Sequence, residues 1–242
     1  MRIRDILYTL SVLIYGTGLS CGQFLINPYS FAAAGGGSGF LINETFEGTG
    51  FSDNSAAWTQ YTTGSSATDP NYAYTFSGGS GSQSLRVVMA SGAGAAHRTF
   101  TGTDNIYIYG RMRLVSSSTA ADLIVADSGA FSSTAFVRLS GTKLRAFAEG
   151  GSPNDSSGNL PTATDLYIWV DITRGSGANH TVAVGWNTVA TKPSMTATGA
   201  TSAKSSNGTG TGQPTRLWLG SYSSHTAEVI FDDVQVSTSV IP

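Results

Sequence analysis

From residue 84 onward, apolar and polar side chains alternate in short runs. Each run ends in a cluster of Gly, Ser, Thr, Asn or Pro. Alternation with period two predicts β-strands with one buried face, and the small polar clusters predict turns. The clearest run is "NIYIYGRMRLV" (105–115). It places Ile106, Ile108, Met112 and Leu114 on one face, and Tyr107, Tyr109, Arg111 and Arg113 on the other. Further strands are expected at 84–90, 121–127, 135–141, 143–150, 165–175, 180–187, 215–222 and 227–238, with "SGTK" turning one hairpin. The polar stretches 153–164 and 196–214 read as loops, and no run carries the 3.6-residue period of a helix.

Nine such runs over about 200 residues suit two packed antiparallel sheets, not βαβ units. Composition agrees. Only 12% of the 242 residues are charged, 30 are glycine, and lysine occurs only at 143, 192 and 204. A net charge of -2 without a basic run excludes the electrostatic footprint of a nucleic-acid binder. The single cysteine, Cys21, permits no intrachain disulfide and no thiolate metal cluster.

The organisation expected is a signal-like or assembly-arm segment at 1–22, an apolar patch with a Gly-rich linker at 23–39, and a β domain at 40–242. The apolar run Ile6–Tyr15 is too short to span a bilayer. It fits either a secretory signal or an arm that docks on other subunits through residues 1–35.

Four motifs then carry a resemblance: "NETFEG", "GSQSLRV", "DLYIWVDITRG" and "IFDDVQV". Together they resemble the concanavalin A-like, laminin G-like jelly rolls, and the leader "FLINPYSFAAAGGG" resembles those of bacteriophage virion proteins that carry such domains. The resemblance implies an all-β sandwich of two antiparallel sheets behind a short N-terminal arm, with first and last strands adjacent. Carbohydrate-binding jelly rolls similar to "FEG" and "DDV" hold a structural calcium ion. That likeness implies Glu47 and Asp233 as ligands, with Asp232 a weaker third. The residues alone leave two readings open, a cation or a bond to amides or to an arginine such as Arg86, because a carboxylate among apolar neighbours needs compensation.

No catalytic motif is visible. Asp122 and Asp127, five apart, fall on opposite faces of a regular strand, and His97, His180 and His225 each lie at a strand edge or turn with no partner in sequence. Aromatic rings flanked by long donors suit sugars. Tyr107, Tyr109, Arg111, Arg113, Trp186 and Tyr222 are therefore the candidate glycan contacts. The reading reached is a non-catalytic virion-surface module (capsid decoration, tail or fibre) that touches surface polysaccharide. The alternatives are a secreted carbohydrate-binding protein and a polysaccharide hydrolase or lyase.

Overall fold

A computed structural model describes residues 39–48, 58–79, 81–117, 120–129, 133–175, 179–210 and 212–242. The expected signal, arm and linker up to residue 38, with their subunit contacts, lie outside the described residues. The strands are β1 (Phe40–Glu44), β2 (Thr59–Thr62), β3 (Ala67–Tyr72), β4 (Ser84–Thr99), β5 (Asn105–Ser117), β6 (Ala120–Asp127), β7 (Ser133–Ser140), β8 (Lys143–Ala148), β9 (Asn154–Asn159), β10 (Leu166–Thr173), β11 (His180–Asn187), β12 (Ser202–Gly208) and β13 (Arg216–Ser237).

The architecture corrects the two-sheet jelly-roll expectation. Hydrogen bonding runs unbroken through β12-β11-β10-β5-β13-β6-β7-β8-β9, with β1 and β4 on β13, and β2 and β3 on β4. The reason is β13, 22 residues long. Its first part pairs with β6 and its second with β5, so one strand stitches together what the sequence suggested were two layers. The path then curls back on itself. β12 lies against β8 and β9, where Asn154 Nδ2 donates to Lys204 O (2.6 Å), Ala148 N to Ser205 Oγ (3.1 Å) and Ser205 Oγ to Ser152 O (2.7 Å). The result is a near-closed nine-strand barrel with extra strands attached.

Both polar stretches read as loops contain strands, β9 and β12. Their side chains are too small to show a pattern, yet Ala203 and Ser205 are fully buried. The core fills the interior with Leu85, Val87, Ile106, Ile108, Met112, Leu123, Val137, Leu144, Ile168, Val184, Leu217, Leu219, Phe231 and their neighbours. The expected meeting of the domain's first and last strands is present: β1 pairs with β13, Phe40 opposite Ser237 and Glu44 opposite Val234.

Two bulges decide which residues leave the core. In β13 the register shifts between Asp232 and Gln235, and Asp233 takes φ 48°. Val229 and Phe231 before the shift, and Val234 and Val236 after it, then all point inward. The adjacent aspartates mark this break, because a bulge inserts one residue and flips the alternation. In β6 a shift between Asp122 and Ile124 has the opposite effect on expectation: Asp122 and Asp127 share the outer face.

Candidate functional site on the outer sheet face

Strands β2, β4, β13, β6, β7 and β8 lie side by side. Across them Thr59, His97, Trp218, Val125, Phe136 and Phe147 stand opposite one another in turn. Their neighbours along each strand, such as Ala96, Leu217, Leu219, Val137 and Ala146, belong to the core, so this row faces outward. An outward sheet face is ordinarily polar. Here it is a band of rings. Trp218 is buried beneath Tyr61 (ring centroids 5.7 Å apart), His97 (4.2 Å) and Tyr222 (5.5 Å), and Arg216 lies 4.7 Å over its ring. Phe136 and Phe147 continue the band, 5.7 Å apart. Tyr61, Tyr222, Phe136 and Phe147 all remain partly exposed.

Charged groups are set into this band in pairs. Asp127, fully buried, accepts from Trp218 Nε1 (2.6 Å), Gly129 N (3.0 Å) and Arg216 Nη2 (2.9 Å). A second row runs Asp122, Arg138, Arg145, Asp155 directly across β6, β7, β8 and β9. Asp122, also fully buried, accepts from Arg138 Nε and from Ser221 Oγ (3.0 Å), and His225 Nε2 lies 3.4 Å from its Oδ2. Burial acts to raise the Asp122 pKa, but the His225 and Arg138 hydrogen bonds outweigh it and hold the carboxyl below its ordinary value. Hydrogen bonding to Arg145 likewise lowers Asp155. Burial, aided by the Arg216 charge, lowers the His97 pKa, so its ring is neutral at pH 7. Its Nδ1 has no protein hydrogen-bond partner among the described residues.

The candidate glycan residues are not brought to one place. Tyr107, Tyr109, Arg111 and Arg113 do share the outward face of β5, beside the second part of β13. Tyr109 and Arg111 are buried there, at 2% and 3% exposure. Arg111 donates to Ser77 O (2.8 Å), to Gly78 O and to Tyr167 Oη (3.1 Å), and lies 4.6 Å over the Tyr167 ring. Arg113 pairs with Asp165 (2.8 Å), and Lys192 sits 5.9 Å over Tyr107. Residues 241 and 242 fold over this face: Trp169 Nε1 donates to Pro242 O (3.3 Å) and Lys192 Nζ to Ile241 O (3.2 Å). Trp186 packs toward the core, and of the six only Tyr222 reaches the aromatic band.

The three carboxylates proposed for calcium gather near Arg111. Glu47 Oε1 accepts from Ser82 N (2.9 Å) and Gln83 N (2.8 Å), and its carboxyl is packed so closely on Gly81 that a Cβ there would overlap it. Asp233 Oδ2 lies 2.9 Å from Arg111 Nε, an ion pair off the hydrogen-bond direction. Asp232 Oδ1 accepts from Asp233 N (2.8 Å). Burial, then the Asp233 charge, pushes Asp232 up to about 8, with Glu47 adding to the push. Arg86 pairs instead with Glu228 (2.7 Å). Three carboxylates are crowded into this corner, which suits a divalent cation in sign. Yet no three Asp, Glu, His or Cys side chains converge as a ligand set among the described residues, so backbone oxygens would have to complete the shell.

The residues that sequence reasoning passed over are Arg138, Arg145, Phe136 and Phe147. A signal for them existed. In "AFVRLS" and "KLRAF" the phase opposite the core residues carries Phe and Arg where an exposed sheet face would carry Ser or Thr.

No protein-family model and no curated protein sequence matches the chain. Solved structures share its fold. A structure described as "Cellulose induced protein, Cip1" matches with TM-score 0.55 and 16% identity, over 83% of this chain and 98% of that one. An endo-beta-1,4-glucuronan lyase from the fungus Trichoderma reesei matches with TM-score 0.52 and 10% identity, over 83% and 96%. A sialidase matches with TM-score 0.58 and 8% identity, over 84% of this chain and 19% of that one. The chain thus shares its fold with a glucuronan lyase and with part of a sialidase. These likenesses overturn the concanavalin-like virion resemblance, since the structures just named are not described as virion proteins and the sheet does not divide into two layers. They also overturn the firm expectation of a non-catalytic protein, because a lyase and a sialidase carry this fold. No helix among the described residues is long and apolar enough to cross a membrane.

Proposed function

We propose that this chain is a secreted or cell-surface carbohydrate-binding protein whose ligand lies across the outer face of β2, β4, β13, β6, β7 and β8. The observation that carries it is the ring band of Tyr61, Trp218, Tyr222, Phe136 and Phe147 on a face where small polar residues are the rule. Sugar rings stack their C–H faces on aromatic side chains, and fixed polar groups at the rim set orientation. Six strands at about 4.8 Å spacing give about 24 Å of face, long enough for an oligosaccharide. The test is retention on immobilised polysaccharides. Tyr61→Ala with Tyr222→Ala is expected to abolish retention, leaving the melting temperature within a few degrees of wild type. Retention that survives the double substitution would move the site elsewhere.

A second reading, chain cleavage, is favoured by one observation. The His97 imidazole is neutral, stacks 4.2 Å from Trp218 in the band, and is partly exposed there. A neutral histidine beside a bound sugar is a proton acceptor. Release of new chain ends by wild type but not by His97→Gln supports this reading, and no release from any bound polymer ends it.

We further propose that the Glu47, Asp232 and Asp233 corner takes a structural calcium ion. The crowding of its carboxylates, which helps push Asp232 up to about 8, supports this. Added calcium is expected to raise the melting temperature and chelator to reverse the gain. An identical melt in both would exclude the ion.

A further inference from the structure

At the β7–β8 end of the ring band lies a recess of 240 Å³ lined by Phe136, Arg138, Arg145, Phe147 and Pro153. Its floor is two rings tilted at 46°, and its wall is two guanidinium groups. Resting on the carbohydrate reading above, we infer that this recess is a subsite for a carboxylated sugar, and that the polysaccharide bound is a polyuronate.

The argument begins with Arg138. Its Nε is taken by Asp122, which is fully buried and itself held by Ser221. That bond fixes the plane of the guanidinium, and Phe136 supports it from below at 5.5 Å. The two terminal nitrogens of Arg138 have no protein partner among the described residues, and the side chain is 38% exposed. A guanidinium fixed by one edge and open on the other presents the fork that matches a carboxylate bidentately. A lysine in the same place would offer a point charge without that planar match.

Arg145 is placed beside it, directly across the β7–β8 ladder. Asp155 holds its Nε and Nη2, leaving Nη1. The balance of charge favours an anion. Arg138, Arg145 and the nearby Lys143 face Asp155 and Asp122, and Asp122 lies wholly beneath the surface. The rings decide the rest of the chemistry. A free inorganic anion gains nothing from Phe136 and Phe147, whereas a sugar acid can stack its ring on them while its carboxylate meets Arg138.

The experiment compares the full chain on a polyuronate and on the same polymer after its carboxyls are reduced to alcohols, by affinity electrophoresis at low and moderate salt. Wild type is expected to prefer the carboxylated polymer by about tenfold, the worth of one charge-assisted bidentate contact. Arg138→Lys, which keeps the charge and a donor for Asp122, is expected to close most of that gap. Equal retention of the two polymers by wild type would overturn the uronate inference and leave the carbohydrate reading standing. Retention of neither would overturn both. A sulfated polymer held as tightly as the uronate would overturn the carboxylate fork in favour of bare charge. The wild-type comparison needs no variant, so it decides even if Arg138→Lys folds poorly.

Discussion

Two aspartates in this barrel are buried to nearly the same depth and end in opposite states. Asp122 and Asp232 each stand directly opposite an arginine on the next antiparallel strand, Arg138 and Arg111 respectively. Arg138 reaches back to Asp122, and the carboxyl stays ionised. Arg111 turns away to the 77–78 turn, to Tyr167 and to Asp233, and Asp232 is pushed up to about 8. Cross-strand register alone therefore does not create an ion pair. The bulge at Asp233 offers the arginine a different carboxylate, and the neighbouring turn offers it carbonyls. Where the opposite strand delivers its charge, burial is tolerated. Where it does not, the group changes protonation state.

The largest effect should come from breaking the paired member. Asp122→Ala removes the acceptor for Arg138 and Ser221 and the neighbour of His225. We expect a loss of about 3 kcal/mol in urea unfolding at pH 7. Because the folded pKa of Asp122 lies below its unfolded value, its contribution is complete above the unfolded pKa. That contribution disappears as pH falls through the folded one. Asp122→Asn should accordingly flatten the acid limb of the stability curve. An unchanged acid limb would mean that Asp122 does not carry the difference.

The unpaired member should respond with the opposite sign. Asp232 holds its proton in the folded state up to about 8 while the unfolded chain loses it near the ordinary carboxylate value. Its contribution is complete below that ordinary value and is lost as pH rises toward 8. Asp232→Asn mimics the protonated form. In chelator it should match wild type at pH 4 and exceed it by a margin that grows steadily toward pH 8. With calcium present the gain should vanish or reverse, since the ion would stabilise the wild-type carboxylate. A variant no more stable than wild type at pH 8 in chelator would show that Asp232 is not held protonated.

These contrasts bear on how much was legible in the chain. The strands with large side chains on both phases, β5, β10 and β13, could be read from alternation. β9 and β12 could not, because Ser, Ala, Asn and Gly leave no amplitude in the pattern. The continuous sheet was hidden because β13 reads as two strands separated by "SSHTA", whereas its backbone keeps pairing with β4 through two register shifts. The site was only partly visible. Bulges are one-residue events, and a one-residue slip exchanges faces. Strict alternation therefore placed Asp122 and Asp127 apart when they are together, and it grouped Asp232 with Val234 when they point opposite ways. Spacing gives a hint in retrospect. In "VIFDDVQV" the inward residues Phe231 and Val234 are three apart instead of two.

A smaller perturbation of the paired row tests whether Arg138 is positioned by Asp122 or merely near it. Ser221→Ala removes one donor from the buried carboxylate without touching the guanidinium. A cost of about 1 kcal/mol is expected, together with a small rise in the midpoint of the acid limb, because a hydrogen bond donated to a carboxylate favours its ionised form. A wild-type acid limb with the same stability loss would assign Ser221 to packing.

The smallest effect tests the same rule on a base. His180, 1% exposed at the start of β11, stands opposite Gly208, which has no side chain to deliver. Both ring nitrogens lack a protein partner among the described residues. Burial, then the Arg174 charge, lowers its pKa, so the folded ring stays neutral. As pH drops below about 6.5 the unfolded chain gains a proton that the folded chain refuses, and stability falls. His180→Leu keeps the volume and removes both the stranded nitrogens and the titration. It should gain about 1 kcal/mol at pH 7, and the gain should widen toward pH 5 in urea unfolding. A destabilised variant, or a gain that does not widen with acid, would mean that the imidazole has a partner after all, and the rule drawn from Asp122 and Asp232 would not extend to this strand.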